Sequence, residues 1–150
     1  MRTTNIIKIL LADDHKIICE GLRGLIEQQR PDWEVIGEAR DGASAVKLAK
    51  ELSPDVIIMD ISMPILNGIE ATRQITSNQP AIKVIALSMH WDKRYTMEMF
   101  KAGAQGYLLK DCAFDELIFA IEAVVANKVY LSPQLADASI TDAVRLFSQK

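Results

Sequence analysis

Five side chains that can do chemistry stand at the ends of short apolar runs in this sequence. They are, in chain order, Asp13, Asp14, Asp60, Ser88 and Lys110. Burying an unpaired carboxylate is costly, so an aspartate that ends an apolar run must lie at a surface, be paired or be bound to something. Three carboxylates about 5 Å apart repel one another by roughly 3 kcal/mol per pair at an effective dielectric constant near 20. One lysine cannot neutralise three negative charges, whereas a divalent cation can.

An oxygen-rich site of this kind suits a hard cation. Carboxylates, a backbone carbonyl and water are ligands that Mg²⁺ accepts, and Mn²⁺ can replace it. A zinc or copper site is disfavoured because the nearest nitrogen ligand, His15, is predicted to begin a helix. A cation beside a lysine and a hydroxyl suits a phosphoryl group, and Asp60 is the predicted nucleophile that accepts it. Asp13 and Asp14 would hold the metal together with Asp60.

Each of these residues also has an ordinary structural explanation. Asp14 or Ser88 can cap the helix that follows it, and Asp60 can begin a turn. Lys110 can lie in solvent. The functional interpretation therefore depends on all five side chains meeting at one edge of one sheet.

The elements that must position these residues alternate between strand and helix. The apolar runs predict five strands, at residues 6–12, 33–39, 55–60, 82–88 and 106–110. A helical pattern follows each strand, and the apolar positions of the last helix are Phe114, Leu117, Ile118, Ile121, Val124 and Val125. Such a series predicts a flavodoxin-like, doubly wound (βα)5 parallel sheet of order 2-1-3-4-5 in three α/β/α layers. Ligands bind such sheets where the strand order reverses, here between the first and third strands.

The composition is typical of a soluble globular domain. The chain has 150 residues, of which 49% are hydrophobic and 25% charged, and its net charge of −3 argues against binding nucleic acid or an anionic membrane. We expect one domain over residues 1–130, with a linker or short C-terminal helix over 131–150. Cys19 and Cys112 match no metal or redox spacing, and the N-terminal run is too short and too charged for a signal peptide. These features predict a cytoplasmic protein with reduced thiols.

Four stretches of the sequence resemble the receiver domain of two-component response regulators, which is CheY-like. They are LLADDH (10–15), DVIIMDISMPILNG (55–68), VIALS (84–88) and AGAQGYLLKD (102–111). The stretches DISMPILNG and AGAQGYLLKD are similar to the NarL/FixJ subfamily, whose members usually carry a C-terminal LuxR-type helix-turn-helix domain.

The resemblance implies that a sensor histidine kinase phosphorylates Asp60. Four groups would surround Mg²⁺: the side chains of Asp13, Asp14 and Asp60 and the backbone carbonyl of Ser62. Lys110 and Ser88 would bind the phosphoryl oxygens. Ser88 and Tyr107 would form a switch in which the Tyr107 ring turns inward, the alternative being a half-buried ring that packs on the fourth helix.

The family further implies that phosphorylation reshapes the face formed by the fourth helix, fifth strand and fifth helix. Homodimerisation through that face or through the first helix is left open. DNA would be bound only through a helix-turn-helix domain, for which residues 131–150 are too few. The chain is then either a receiver fragment or a receiver that acts alone, and we favour the fragment. Ser62 and His90 stand where phosphoryl lifetime is tuned in the family. His90 and Trp91 either control the access of water or form a surface loop.

Two other functions compete with this interpretation. A haloacid-dehalogenase phosphatase also uses a nucleophilic aspartate with Mg²⁺, but it needs a second aspartate two residues later, where this chain has Ser62. Its nucleophile also follows the first strand, whereas Asp60 ends the third predicted strand. The other alternative is a receiver-like module that binds proteins without being phosphorylated.

Overall fold

The computed structural model describes residues 6–89 and 92–133. The predicted functions of His90 and Trp91 lie outside these residues, as does the segment 134–150, where a short C-terminal helix is predicted. Among the described residues, no helix is both long enough and apolar enough to cross a membrane.

A parallel sheet forms the centre of the described part of the chain. Its six strands are β1 (Ile7–Ala12), β2 (Trp33–Ala39), β3 (Val56–Asp60), β4 (Lys83–Ser88), β5 (Gly106–Leu109) and β6 (Tyr130–Leu131). Their order is β2-β1-β3-β4-β5-β6, which confirms the predicted order 2-1-3-4-5 and adds one strand. β3 is buried along its whole length because helices cover both faces of the sheet, so its sequence is almost continuously apolar.

Five α-helices lie on the two faces of the sheet within the described residues. They are α1 (Lys16–Gln29), α2 (Gly42–Leu52), α3 (Gly68–Asn78), α4 (Lys93–Lys101) and α5 (Ala113–Val125). Buried side chains of α1 and α5 share one apolar cluster, and those of α2, α3 and α4 share the other. The predicted three-layer α/β/α arrangement is therefore confirmed. Asp41 and Asn67 begin α2 and α3 by accepting backbone N–H groups of the first turn.

The apolar stripe predicted for α5 is partly wrong. Phe114 and Val125 are 47% and 39% exposed, although both belong to the predicted stripe. The face that packs on the sheet consists of Ala113, Leu117, Ala120, Ile121 and Val124. The small side chains of Ala113 and Ala120 let α5 approach the sheet closely. The face of α5 that contacts the sheet is therefore not the face that carries Phe114 and Val125. Phe114 instead packs against Gly21 of α1.

The short strand β6 pairs with β5 and covers that edge of the sheet. The Tyr130 N–H donates to the Gln105 carbonyl at 2.9 Å, and the Ser132 N–H donates to the Tyr107 carbonyl at 3.1 Å. The Ser132 hydroxyl accepts the Leu109 N–H at 3.4 Å, and Ser132 is fully buried. The sheet thus continues past residue 130, where the sequence predicts the end of the receiver domain.

Candidate metal and phosphoryl-accepting site

The carboxyl ends of β1, β3 and β5 bring three of the predicted residues into direct contact. The Lys110 ammonium lies 2.9 Å from Asp13 Oδ2 and 3.3 Å from Asp60 Oδ2. All three residues are buried, with exposed fractions of 2% for each aspartate and 5% for the lysine. The alternative that Lys110 lies in solvent is therefore wrong. A buried ammonium between two buried carboxylates is an arrangement that the fold must impose, because each charge alone is costly to bury.

Asp13 is held by its neighbours on both sides. Its N–H donates to the Ala39 carbonyl of β2 at 3.0 Å, and its Oδ1 accepts the His15 N–H at 2.8 Å. This turn folds the His15 ring back, so that Nδ1 lies 2.9 Å from Asp13 Oδ1 and 3.3 Å from Asp14 Oδ1. His15, with no side-chain capping bond, is the N-cap residue of α1, so the alternative of an Asp14 cap is wrong.

Asp60 both begins a turn and completes the acidic cluster. Its Oδ1 accepts the Ser62 N–H at 3.2 Å, so the turn explanation is correct but incomplete. Burial and the Asp13 carboxylate raise the pKa of Asp60 to about 6, although Lys110 and the Ser62 N–H lower it in part. Burial lowers the pKa of Lys110, but its pairs with Asp13 and Asp60 outweigh burial and raise it overall.

The donor set of this cluster fits a divalent cation. Asp13, Asp14, His15 and Asp60 each place one ligand atom within 4.8 Å of the others. The Oδ2 atoms of Asp13 and Asp60 are buried, and both are paired with the single ammonium of Lys110. One ammonium between two such oxygens leaves negative charge that a cation would neutralise.

Ser88 and Tyr107 lie beside the acidic cluster at the same edge. In the sheet register, Leu87 pairs with Asp60 and Ser88 pairs with Leu109. Tyr107 is fully buried and lies in one apolar cluster with Met99 and Phe100 of α4. The alternative of a ring that packs on the fourth helix is therefore right about the packing and wrong about the half-burial. Burial raises the pKa of Tyr107, while the nearby hydroxyls of Ser88 and Thr96 lower it in part.

A different residue caps α4, so the alternative of a Ser88 cap is also wrong. The carboxylate of Asp92 accepts the Arg94 N–H at 2.8 Å, which makes Asp92 the N-cap. Ser88 is buried at the end of β4, with an exposed fraction of 8%. Ser88 therefore lies at the edge of the sheet where the carboxylates of Asp13 and Asp60 meet.

The loop between β3 and α3 is tightly closed behind Asp60. The Gly68 N–H donates to the Ile61 carbonyl at 2.9 Å, and the Leu66 N–H donates to the Pro64 carbonyl at 2.8 Å. The second bond spans a γ-turn in which Ile65 has φ of +71°, a strained value for a β-branched residue. Tight closure of this loop fixes the position of the Asp60 carboxylate.

Comparison with known proteins assigns this arrangement to a family. The family model described as the response regulator receiver domain matches residues 9–122. The chain belongs to this family. The receiver domain therefore accounts for most of the 150 residues.

Curated relatives of this receiver domain are transcriptional regulators. The transcriptional regulatory protein DegU of Brevibacillus brevis is 39% identical over 145 residues, which cover 97% of this chain and 61% of DegU. LiaR of Bacillus subtilis is 44% identical over 130 residues, which cover 87% of this chain and 61% of LiaR. The chain thus spans about three fifths of the length of these relatives.

Solved structures have the same fold. A LuxR-family response regulator from Aurantimonas sp. SI85-9A1 has a TM-score of 0.83 and 38% identity, covering 95% of this chain and 99% of that chain. The receiver domain of RcsB from Salmonella enterica serovar Typhimurium, solved with the phosphomimetic BeF₃⁻, has a TM-score of 0.79 and 27% identity, covering 87% and 96%. These comparisons confirm the predicted resemblance to regulators of the NarL/FixJ subfamily.

The receiver site contains two residues whose contribution sequence reasoning missed. The sequence predicts His15 only as the start of a helix, yet its ring reaches the acidic cluster. The signal available in the sequence was its place two residues after Asp13, where an aspartate readily forms a turn by accepting the N–H of the second residue. Thr96 near the Tyr107 hydroxyl had no such signal, because α4 reaches β5 only through tertiary packing.

Replacing Asp60 by Asn is expected to raise the free energy of unfolding by about 2 kcal/mol at pH 7 in EDTA. The folded-state pKa of about 6 lies above the ordinary value of 3.8, so ionising Asp60 costs the folded state stability. This cost is complete above about pH 6 and disappears as the pH falls towards 3.8. Urea unfolding of both proteins at pH 7 and near pH 4 measures it. A gain of equal size at both pH values would contradict the explanation.

Proposed function

We propose that this receiver domain accepts a phosphoryl group on Asp60 from a sensor histidine kinase. The observation that carries the proposal is the buried Lys110 ammonium 3.3 Å from Asp60 Oδ2, beside the carboxylates of Asp13 and Asp14. The Ser62 N–H holds Oδ1, which leaves Oδ2 directed towards the lysine. In the transfer, a new bond forms between an Asp60 oxygen and phosphorus while the bond from phosphorus to the donor histidine nitrogen breaks.

The acidic residues would hold Mg²⁺, which Mn²⁺ can replace. The ligands are the carboxylates of Asp13, Asp14 and Asp60, together with the backbone carbonyl of Ser62. When bound, the cation supplies positive charge against the oxygens of the transferring phosphoryl group. Lys110 binds those oxygens from the other side, and its raised pKa keeps it positively charged.

Ser88 and Tyr107 act as the switch of this receiver. The Ser88 hydroxyl hydrogen-bonds the phosphoryl group, and the inward Tyr107 ring accompanies it. Tyr107 is already buried in this structure. Phosphorylation therefore shifts the populations of conformations that already include the inward ring, and it does not create a new conformation. The change is read on the face formed by α4, β5 and α5.

The output we propose is control of transcription, through a DNA-binding domain outside these 150 residues. The curated relatives DegU and LiaR are named as regulatory proteins of transcription, and one structural relative is described as RcsB dimers bound to DNA. Homodimerisation on phosphorylation accompanies this output. The domain works in the cytoplasm, and it catalyses at most its own phosphorylation and dephosphorylation.

Membership of the receiver family decides against the haloacid-dehalogenase alternative. Asp60 also ends the third strand along the chain, whereas the nucleophile of a haloacid-dehalogenase phosphatase follows the first strand. The alternative that still needs an experiment is a receiver-like module that is never phosphorylated.

Intact mass after treatment with acetyl phosphate and Mg²⁺ tests the proposed function. We expect wild type to gain the mass of one phosphoryl group and Asp60→Asn to gain none. The matched control is Asp55→Asn at the other end of the same sheet region, where Asp55 accepts the Lys8 N–H and an asparagine oxygen can do the same. Sedimentation of the same samples reports association. A wild type without mass gain, or a gain that survives in Asp60→Asn, would contradict phosphorylation at Asp60.

A further inference from the structure

The short strand β6 lies directly beside the switch residue Tyr107. Tyr107 of β5 pairs with Leu131 of β6, so their side chains stand on the same face of the sheet. Leu131 accordingly packs against the apolar cluster of α2, α3 and α4, which contains Tyr107 and Phe100. The partner of Tyr107 on its other side is Ala86 of β4. The Tyr107 ring is therefore enclosed by the interior of the sheet, by α4 and by Leu131.

Leu131 lies between the Tyr107 ring and the edge of the sheet. β6 is the outermost strand next to β5, whereas β4 and β3 lie on the interior side. A ring that turned outward across this edge would have to pass over the Leu131 side chain. While β6 is paired with β5, Leu131 thus holds the ring in its fully buried position.

The backbone bonds of β6 reach the stretch of β5 that leads to the phosphoryl-accepting site. The Ser132 N–H donates to the Tyr107 carbonyl at 3.1 Å, and the Ser132 hydroxyl accepts the Leu109 N–H at 3.4 Å. Leu109 directly precedes Lys110, whose ammonium lies 3.3 Å from Asp60 Oδ2. Pairing of β6 therefore fixes the backbone of β5 between the switch residue and the lysine of the site.

A second set of contacts fixes β6 on the opposite face of the sheet. The Tyr130 hydroxyl donates to Glu116 Oε1 of α5 at 2.9 Å, and Tyr130 packs against the apolar cluster of α1 and α5. A strand of two residues is marginal on its own, so these contacts keep β6 in place. They also fix the point from which the chain continues into residues 134–150.

We propose that β6 regulates the receiver by holding the Tyr107 ring inward, so that pairing of β6 and phosphorylation of Asp60 stabilise each other. Both favour the inward ring, β6 through Leu131 and the phosphoryl group through Ser88. Two events that favour one conformation are coupled, and the coupling is equally large in both directions. The inference rests on the switch of the proposed function and adds β6 to it.

Beryllofluoride with Mg²⁺, a mimic of the phosphoryl group, tests the coupling in both directions on the full chain. In wild type, it should slow hydrogen exchange of the Tyr130 and Ser132 amides about tenfold, measured by NMR, and the amides of β2 at the far edge should change less. Leu131→Ala should weaken beryllofluoride binding about tenfold in calorimetric titrations, because the inward ring is then less populated. This loss should vanish when both proteins carry Tyr107→Leu, since no ring is left to hold.

Leu48→Ala is the matched control for the Leu131 substitution. Leu48 is also a partly buried leucine that packs against the apolar cluster of α2, α3 and α4, but it belongs to α2 and not to β6. Leu48→Ala should lower the melting temperature as Leu131→Ala does, because both remove apolar contacts with the same cluster. Its affinity for beryllofluoride should equal that of wild type.

The outcomes separate this inference from the proposed function. Normal beryllofluoride binding by wild type without slower exchange in β6 would overturn the coupling and leave the phosphoryl-accepting site intact. Unchanged affinity in Leu131→Ala, an equal loss in Leu48→Ala, or a loss that persists in the Tyr107→Leu background would also overturn it. Wild type that binds no beryllofluoride would contradict both proposals, whereas the acetyl phosphate mass experiment tests Asp60 separately.

Discussion

Lys110→Met is expected to lower the free energy of unfolding by about 3 kcal/mol at pH 7 in EDTA, because it leaves two buried carboxylates without their cation. The lysine is paired with Asp13 at 2.9 Å and with Asp60 at 3.3 Å, and all three side chains are buried. Without the ammonium, the pKa of Asp60 rises further above about 6. The loss of stability should therefore shrink as the pH is lowered and the carboxyl becomes protonated. Urea unfolding at several pH values measures this dependence.

A matched lysine on the surface provides the control for this prediction. Lys101 pairs with Glu98 at 3.7 Å and its side chain is 55% exposed, so Lys101→Met should cost at most about 0.5 kcal/mol. Adding Mg²⁺ to Lys110→Met should restore part of its stability, because the cation binds the folded state and replaces the lost positive charge. Equal stability of Lys110→Met and wild type in EDTA would mean that Asp13 and Asp60 are not both ionised in the folded protein.

Gly68→Ala is expected to destabilise the domain by about 3 kcal/mol and to reduce phosphorylation of Asp60. A Cβ atom at Gly68 would lie 2.1 Å from the Asp60 carbonyl oxygen and 2.9 Å from the Ile61 Cα. These are backbone atoms, so they cannot yield by a side-chain rotation. The loop must open at the residue that carries the carboxylate. Thermal unfolding and the acetyl phosphate mass gain measure the two effects.

Gly24→Ala is the control for this substitution, and its expected sign is opposite. Gly24 lies inside α1, and among the described residues a Cβ atom there would meet nothing within 4 Å apart from its chain neighbours and its own helix backbone. Replacing a helical glycine by alanine reduces the backbone entropy lost on folding, so stability should rise by about 0.5–1 kcal/mol. A Gly68→Ala protein as stable as wild type, with normal phosphorylation, would show that the loop between β3 and α3 is less rigid than its contacts imply.

The strands and the acidic edge were predictable from the sequence because each rests on local information. β2 coincides with its predicted run, and the other predicted strands differ from the structure by one residue at an end. Asp13, Asp60 and Lys110 directly end or follow strands that run parallel. Once the strand order is fixed, their convergence needs no knowledge of loop geometry.

The features that sequence reasoning missed depend on tertiary contacts. β6 has only two residues, and its pairing comes from the open edge of β5 rather than from any periodicity. The fully buried Tyr107 ring depends on how closely α4 packs on the sheet, and the exposed Phe114 depends on the alanines that bring α5 near. The position of the His15 ring depends on the turn formed by Asp13.

The pairing of β6 with β5 determines how far the chain can be shortened from its C-terminal side. Cutting after residue 129 would remove the partners of the Gln105 and Tyr107 carbonyls and of the Leu109 N–H. An unpaired strand edge is a template for pairing with another molecule, so such a truncated protein would be prone to self-associate along β5. Oligomers formed that way would be artefacts of truncation and not products of phosphorylation. Proteins prepared for association measurements should therefore keep the chain at least through Ser132.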